Sequence, residues 1–177
     1  MNSNGAKFQQ QQGNSVNCGA SAFTVSLNIM LGLTGSSAYN NLSVWSSSAF
    51  GSDSTVSIGE KGQAFLRDQG LSGKIKFEYA PNDITTTAQM KAELQKGNCV
   101  VVSSGGTSQF RNANGSTPRS YPDGHFIMFY NYSGGTYFAN DSAVEAARGA
   151  GVPYSESQLK QWLDGRSYHT GAIMSKR

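Results

Sequence analysis

The stretch HFIMFYNYSGGTYFAND, residues 125–141, leaves this chain the least freedom. Two runs rich in aromatic and aliphatic residues flank Ser133-Gly134-Gly135. Such side chains favour a pleated, buried surface, and paired glycines supply the positive φ that a tight turn requires. The stretch therefore predicts two antiparallel strands and a sheet around them. A tight hairpin also returns the end of its second strand to the start of its first. Cross-strand neighbours lie within about 5 Å, so Asp141 is expected within reach of His125.

The second constraint lies at the front of the chain, in CGASAFTVSLNIMLGL. Phe23, Leu27, Met30 and Leu31 recur at helical spacing, with Ala22 and Val25 widening the stripe, which predicts a helix over 18–32. Residues 1–17 are polar and read as loop or extended chain, with 1–11 allowed to be flexible. A Ser/Gly/Asn-rich stretch at 34–57 carries Tyr39, Leu42, Val44, Trp45 and Phe50 as anchors. A loop anchored in this way covers a core or lines a groove. Further helices are expected at 58–69, ended by Gly70, at 84–97, with Thr85 or Thr86 near its start and Gly97 at its end, and at 155–165, capped by Ser155 and ended by Gly165. KIKFEYA, CVVVSS and HTGAIMSK read as strands, and 105–124 and 142–154 as loops. Helices gather in the front half and strands in the rear half. This segregation predicts an α+β fold, one domain over 1–177, with N-terminal helices packed on a mostly antiparallel sheet.

The charge pattern excludes some functions. Fourteen basic residues stand against eleven acidic ones, a net charge of +3, and no basic run is dense enough for a nucleic-acid footprint. No apolar run reaches the roughly 18–20 residues of a membrane span. MNSNGAKFQQQQ lacks the apolar segment of a standard secretory signal. The expectation is a protein that stays where it is made, leaves by another route, is already processed, or travels with a virion. The two cysteines lack the paired spacing of a zinc site and form no disulfide framework.

Cys18 stands where a polar loop meets the first helix. Unpaired N–H groups and the helix dipole favour a thiolate there. His125 opens a strand at the rim of the expected sheet and can serve as the base. Asp141 can hold its ring toward the sulfur, with Asn140 an alternative third member. Gln12 lies six residues before Cys18 on the feeding loop. Its amide, with the Cys18 N–H, can form an oxyanion hole. Four glutamines run from Gln9 to Gln12, and only spacing selects the last.

Gln12 followed after six residues by Cys18 in NCGASAF, then GHFIMFYNYSGGTYFAND, resembles the papain-like cysteine peptidases. It is most similar to the stand-alone relatives of the family that trims double-glycine leaders from bacteriocins. LQKGNCVVV and the tail PYSESQLKQWL…GAIM resemble that design in outline. Those peptidases often carry Pro after the Asp, where this chain has Ser142. The resemblance implies a papain-like peptidase fold, with Cys18 as nucleophile, His125 as base, Asp141 as orienter and Gln12 as oxyanion donor. It implies no metal or organic cofactor. The implied partner is a peptide, protein or peptidoglycan-peptide substrate, in a cleft walled by the loops at 34–57 and 105–124.

Each residue also has a plainer reading. Cys18 could be a buried thiol, His125 a strand cap, and Asp141 an Asx-turn residue. Cys99, ahead of three valines, reads as inert packing, His169 as a surface histidine and Trp162 as core. The joint presence of Cys, His, Asp and Gln in order favours an enzyme that cleaves a peptide or isopeptide bond. The alternatives are a peptidoglycan cross-link hydrolase, an acyltransferase, and an inactive binding module of the same fold.

Overall fold

The computed structural model describes residues 3–12, 17–53, 57–79, 84, 86–104, 109–110, 119–120, 124–143, 149–164 and 171–177. Its first long helix, α1 (Cys18–Leu31), is buried at every position from Cys18 to Met30. A helix apolar on one face only would sit at the surface. This one is surrounded. Its polar residues are satisfied internally, as burial demands. Thr24 and Ser26 donate to the Ala20 and Ala22 carbonyls. Asn28 exchanges two hydrogen bonds with the Tyr39 backbone, and Ser21 accepts from Asn41 Nδ2. Gly32 then turns left-handed at φ 70° and ends the helix.

Strands β1 (Ile75–Tyr79), β2 (Cys99–Ser104), β5 (His125–Ser133), β6 (Thr136–Asn140), β7 (Val152–Ser155) and β8 (Gly171–Lys176) form one sheet in the order β1-β8-β2-β5-β6-β7. Every pairing described in it is antiparallel. The hairpin turn expected at Gly134-Gly135 is present, with positive φ at both glycines.

The sheet carries helices on both faces. Phe126, Met128 and Tyr130 of β5, with Val101 of β2, join α1 in one cluster. Ile127 and Phe129, with Val100 and Val102, face the other way, against α4 (Thr87–Gln95) and α5 (Glu156–Asp164). Successive side chains of a strand point to opposite faces. With both faces covered, HFIMFYNY must be apolar at nearly every position rather than alternating, and it is. In the first cluster Phe23 of α1 meets Phe50, Phe65 and Phe77 at ring distances of 5.0–5.7 Å. Helix α3 (Ile58–Asp68) approaches β1 so closely that a Cβ at Gly62 would lie 2.5 Å from the Phe77 ring. Only glycine fits there.

Several elements differ from expectation. The polar lead-in contains a 3-10 turn at Gly5–Phe8, and the anchored loop contains another at Gly35–Ser37 and a short helix, α2 (Asn41–Trp45). Of the loop's anchors, Val44 and Phe50 are buried, whereas Leu42 is 44% exposed. The fourth helix begins at Thr87, capped by a Thr86–Gln89 capping box, and Ile84 is buried outside it. Residues 152–154, expected as loop, belong to an edge strand, Val152–Ser155, containing Pro153, a residue that sheets accept mainly at their edges. Within 105–124, Gln109–Phe110 (β3) pairs with Arg119–Ser120 (β4). Most of that stretch lies outside the described residues, as do Thr85, Gly165 and His169. Ser155 does cap the last helix, exchanging hydrogen bonds with Gln158. Among the described residues no single helix is long and apolar enough to cross a membrane.

Candidate active site

The ends of three elements converge at one rim of the sheet. Cys18 is the first residue of α1, His125 the first of β5, and Asp141 directly follows β6. Each is 4% exposed. The β5–β6 hairpin brings the last two together, as its register demands, since Met128 pairs with Asn140. His125 Nε2–H donates to Asp141 Oδ1 at 2.8 Å. The same oxygen accepts from the Ala143 N–H at 3.0 Å. With Nε2 held, Nδ1 is the ring nitrogen that faces the sulfur, and the Cys18 and His125 side chains hydrogen-bond each other.

The surroundings favour charge on both partners. Burial alone would push the Cys18 thiol up. The His125 hydrogen bond and charge, with hydrogen bonds involving the Phe126 and Gly19 backbone, outweigh burial and lower its pKa. Burial alone would likewise lower the pKa of His125. Its hydrogen bonds to Asp141 and Cys18, with their charges, raise it to about 9. The two shifts point the same way, to a thiolate beside an imidazolium.

Asn140, the alternative neighbour of His125, is turned elsewhere. Its Nδ2 donates to the Gly5 carbonyl and its Oδ1 accepts from the Gly151 N–H, both at 3.0 Å. It ties the lead-in and the β6–β7 corner together. Gln12 is bound to the residue after Asp141. Its N–H donates to the Ser142 carbonyl at 2.8 Å, and its Oε1 accepts from Ser142 Oγ–H at 2.9 Å. One path of contacts thus runs from Gln12 through Ser142 and Asp141 to His125 and Cys18.

Other glutamines of the run have separate duties. Gln9 Nε2 donates to the Asp141 carbonyl at 2.7 Å. Gln10 bonds the Tyr39 carbonyl and the Asn41 N–H. The Gln11 carbonyl accepts from Asn41 Nδ2. Residues 5–12 are therefore a strap laced over the corner that carries Asp141. Gly5, on that strap, lies where a Cβ would fall 2.2 Å from the Tyr130 ring. The contributions of Gln9 and Ser142 escaped the reading of the sequence. The one signal for Ser142 was that it stands where the resembled peptidases often have Pro.

Cys99 stands apart, wholly buried in β2, with Ser26 as its side-chain hydrogen-bond partner. Burial pushes its thiol far above the usual range. Trp162 sits in the second core cluster.

No protein-family model matches the chain. No curated protein matches it either. Ten chains among solved structures do. One is the crystal structure of a Bacillus anthracis protein provisionally described as a C39-like peptidase, with a TM-score of 0.55 and 14% identity, covering 96% of this chain and 94% of that one. The likeness spans nearly the whole of both chains, and with the helix-and-antiparallel-sheet architecture it shows an α+β fold like that of the C39-like peptidase. At that identity the likeness concerns the fold.

Proposed function

We propose that this chain is a cysteine peptidase that hydrolyses a peptide or isopeptide bond through Cys18, His125, Asp141 and Gln12. The observation that carries the reading is the buried Cys18–His125–Asp141 contact, in which a thiol inside the protein is shifted toward ionisation. A purely structural buried thiol is pushed the other way, as Cys99 is.

In this reading the Cys18 thiolate attacks the substrate carbonyl carbon. The oxyanion that forms is held by the Gln12 side-chain amide and the Cys18 N–H, a donor at a helix start, where N–H groups have no partner four residues back. His125, protonated, gives its proton to the leaving amine as the C–N bond breaks, leaving a thioester on Sγ. His125 then takes a proton from water, whose oxygen attacks the thioester, and the acid leaves as the proton returns to the Cys18–His125 pair. Asp141 keeps Nε2–H engaged throughout and so aims Nδ1 at the sulfur. No step calls on a metal or an organic cofactor. The substrate is a peptide, a protein or the peptide part of peptidoglycan.

The test is alkylation by iodoacetamide at pH 6 read by peptide mass spectrometry, with digestion of casein, a Gly-Gly peptide and purified peptidoglycan alongside. The expected result is selective labelling of Cys18, faster than in the denatured chain, and hydrolysis of one of the three substrates that C18A lacks. Labelling no faster than in the denatured chain would overturn the reading. A product carrying an added amine in place of water would make the enzyme an acyltransferase.

A further inference from the structure

The mechanism requires the Gln12 amide to present its N–H end to the developing oxyanion, but a glutamine amide can settle either way round. The two ends differ by a simple rule: oxygen accepts and nitrogen donates. Resting on the peptidase reading above, we propose that Ser142 is a positioning residue that sets the orientation of the Gln12 amide and thereby arms the oxyanion hole.

Three observations carry this. Ser142 Oγ–H donates to Gln12 Oε1 at 2.9 Å, so the hydroxyl holds the acceptor end and the donor end faces away from it. Ser142 is 4% exposed. A flipped amide would set an N–H against the hydroxyl oxygen and oblige the buried O–H to find another acceptor, a costly exchange away from water. The backbone bond from Gln12 N–H to the Ser142 carbonyl, at 2.8 Å, fixes the two residues side by side. Because Ser142 directly follows Asp141, whose carboxylate holds His125, the same corner aligns the base and the oxyanion donor. Proline at this position has no hydroxyl and could not make the contact. Where the resembled peptidases often carry Pro, this chain has the hydroxyl that sets the orientation of Gln12.

Two probes separate this role from a general structural one. Iodoacetamide alkylates the thiolate by displacement at carbon and forms no oxyanion. p-Nitrophenyl acetate acylates the same sulfur through a tetrahedral oxyanion, with p-nitrophenolate leaving and an acetyl thioester remaining. The comparison uses the full chain, with Cys18-alkylated protein as the blank. S142A is expected to slow acylation about 3- to 10-fold, the size of one hydrogen bond, and to leave the alkylation rate and its pH profile unchanged. S142T, which keeps the hydroxyl, stays near the wild-type acylation rate. Q12A slows acylation about 100-fold, and adding S142A to it costs nothing further. Acylation unchanged in S142A, or an S142A loss that persists in full on the Q12A background, would overturn the proposal and leave the peptidase reading standing. Failure of that reading shows differently: wild-type Cys18 would not alkylate faster than the denatured chain.

Discussion

The chain places its two cysteines in two buried settings and drives them in opposite directions. Cys18, at the start of α1, meets an imidazole and hydrogen bonds involving the Phe126 and Gly19 backbone, and its pKa falls. Cys99, in the middle layer of the sheet, meets apolar neighbours and Ser26, and its pKa rises steeply. Exposure does not separate them, since they are 4% and 0% exposed. The difference lies in what surrounds the sulfur. Burial penalises any charge, and only a counter-charge with aligned donors reverses the sign. A helix start beside a strand rim supplies both. The interior of a central strand, whose N–H groups are already in the ladder, has none to offer.

The strongest way to break this comparison is to exchange the two cysteines for small residues. C18A is expected to lower hydrolysis by at least about a thousandfold, as removal of a triad nucleophile does. C99A should leave kcat within a few-fold and cost about 1 kcal/mol of stability, read from the urea midpoint. Equal losses in the two variants would erase the distinction. Next in size, H125A and D141A should reduce kcat about 100-fold or more, the range of general acid–base catalysis. The Cys18 alkylation profile should move toward that of an ordinary thiol in H125A, while Cys99 stays unlabelled in the folded chain.

The pH dependence sharpens the point with a smaller effect. Because the Cys18 pKa is lowered, alkylation should set in below the ordinary thiol range as pH rises. Because His125 is raised to about 9, the imidazolium persists to that pH and is lost above it. Hydrolysis, which needs that proton for the leaving amine, should therefore fall above about 9. Alkylation, which needs only the thiolate, should not. The same raised value means that the hydrogen bonds and charges of Asp141 and Cys18 at His125 together stabilise the fold fully below pH about 6.5, a contribution lost as pH rises through about 9. Thermal melts of the unaltered chain across that window would show it. The smallest effect belongs to the strap. Q9A removes one hydrogen bond to the Asp141 carbonyl and should cost about 1 kcal/mol. If Q9A lowers kcat as much as D141A, the strap takes part in the chemistry more directly than its contacts indicate.

Local patterns made much of the fold legible. Helix α1 shows in its apolar spacing, the β5–β6 hairpin in its glycines, and the cap of the last helix in Ser155. β7 was hidden because Pro153 and the flanking Gly151 look like loop, and pairing with β6 on only one side leaves a short strand free to carry them. The position of β8 was hidden for another reason. The last strand of the chain inserts between β1 and β2, and nothing in GAIMSK names its neighbours.

The candidate site divides in the same way. The sequence by itself determined that a cysteine opens a helix, a histidine opens a strand and an acid closes the hairpin, because capping, turn chemistry and side-chain period are local rules. Tertiary structure decided that Asp141 rather than Asn140 meets His125, that the Cys18 and His125 side chains hydrogen-bond, and that Ser142 holds Gln12. Those contacts join residues as many as 130 positions apart. A hydrogen bond between two such distant side chains leaves no periodic trace in either segment, and it exists only once the sheet has set the distance between them.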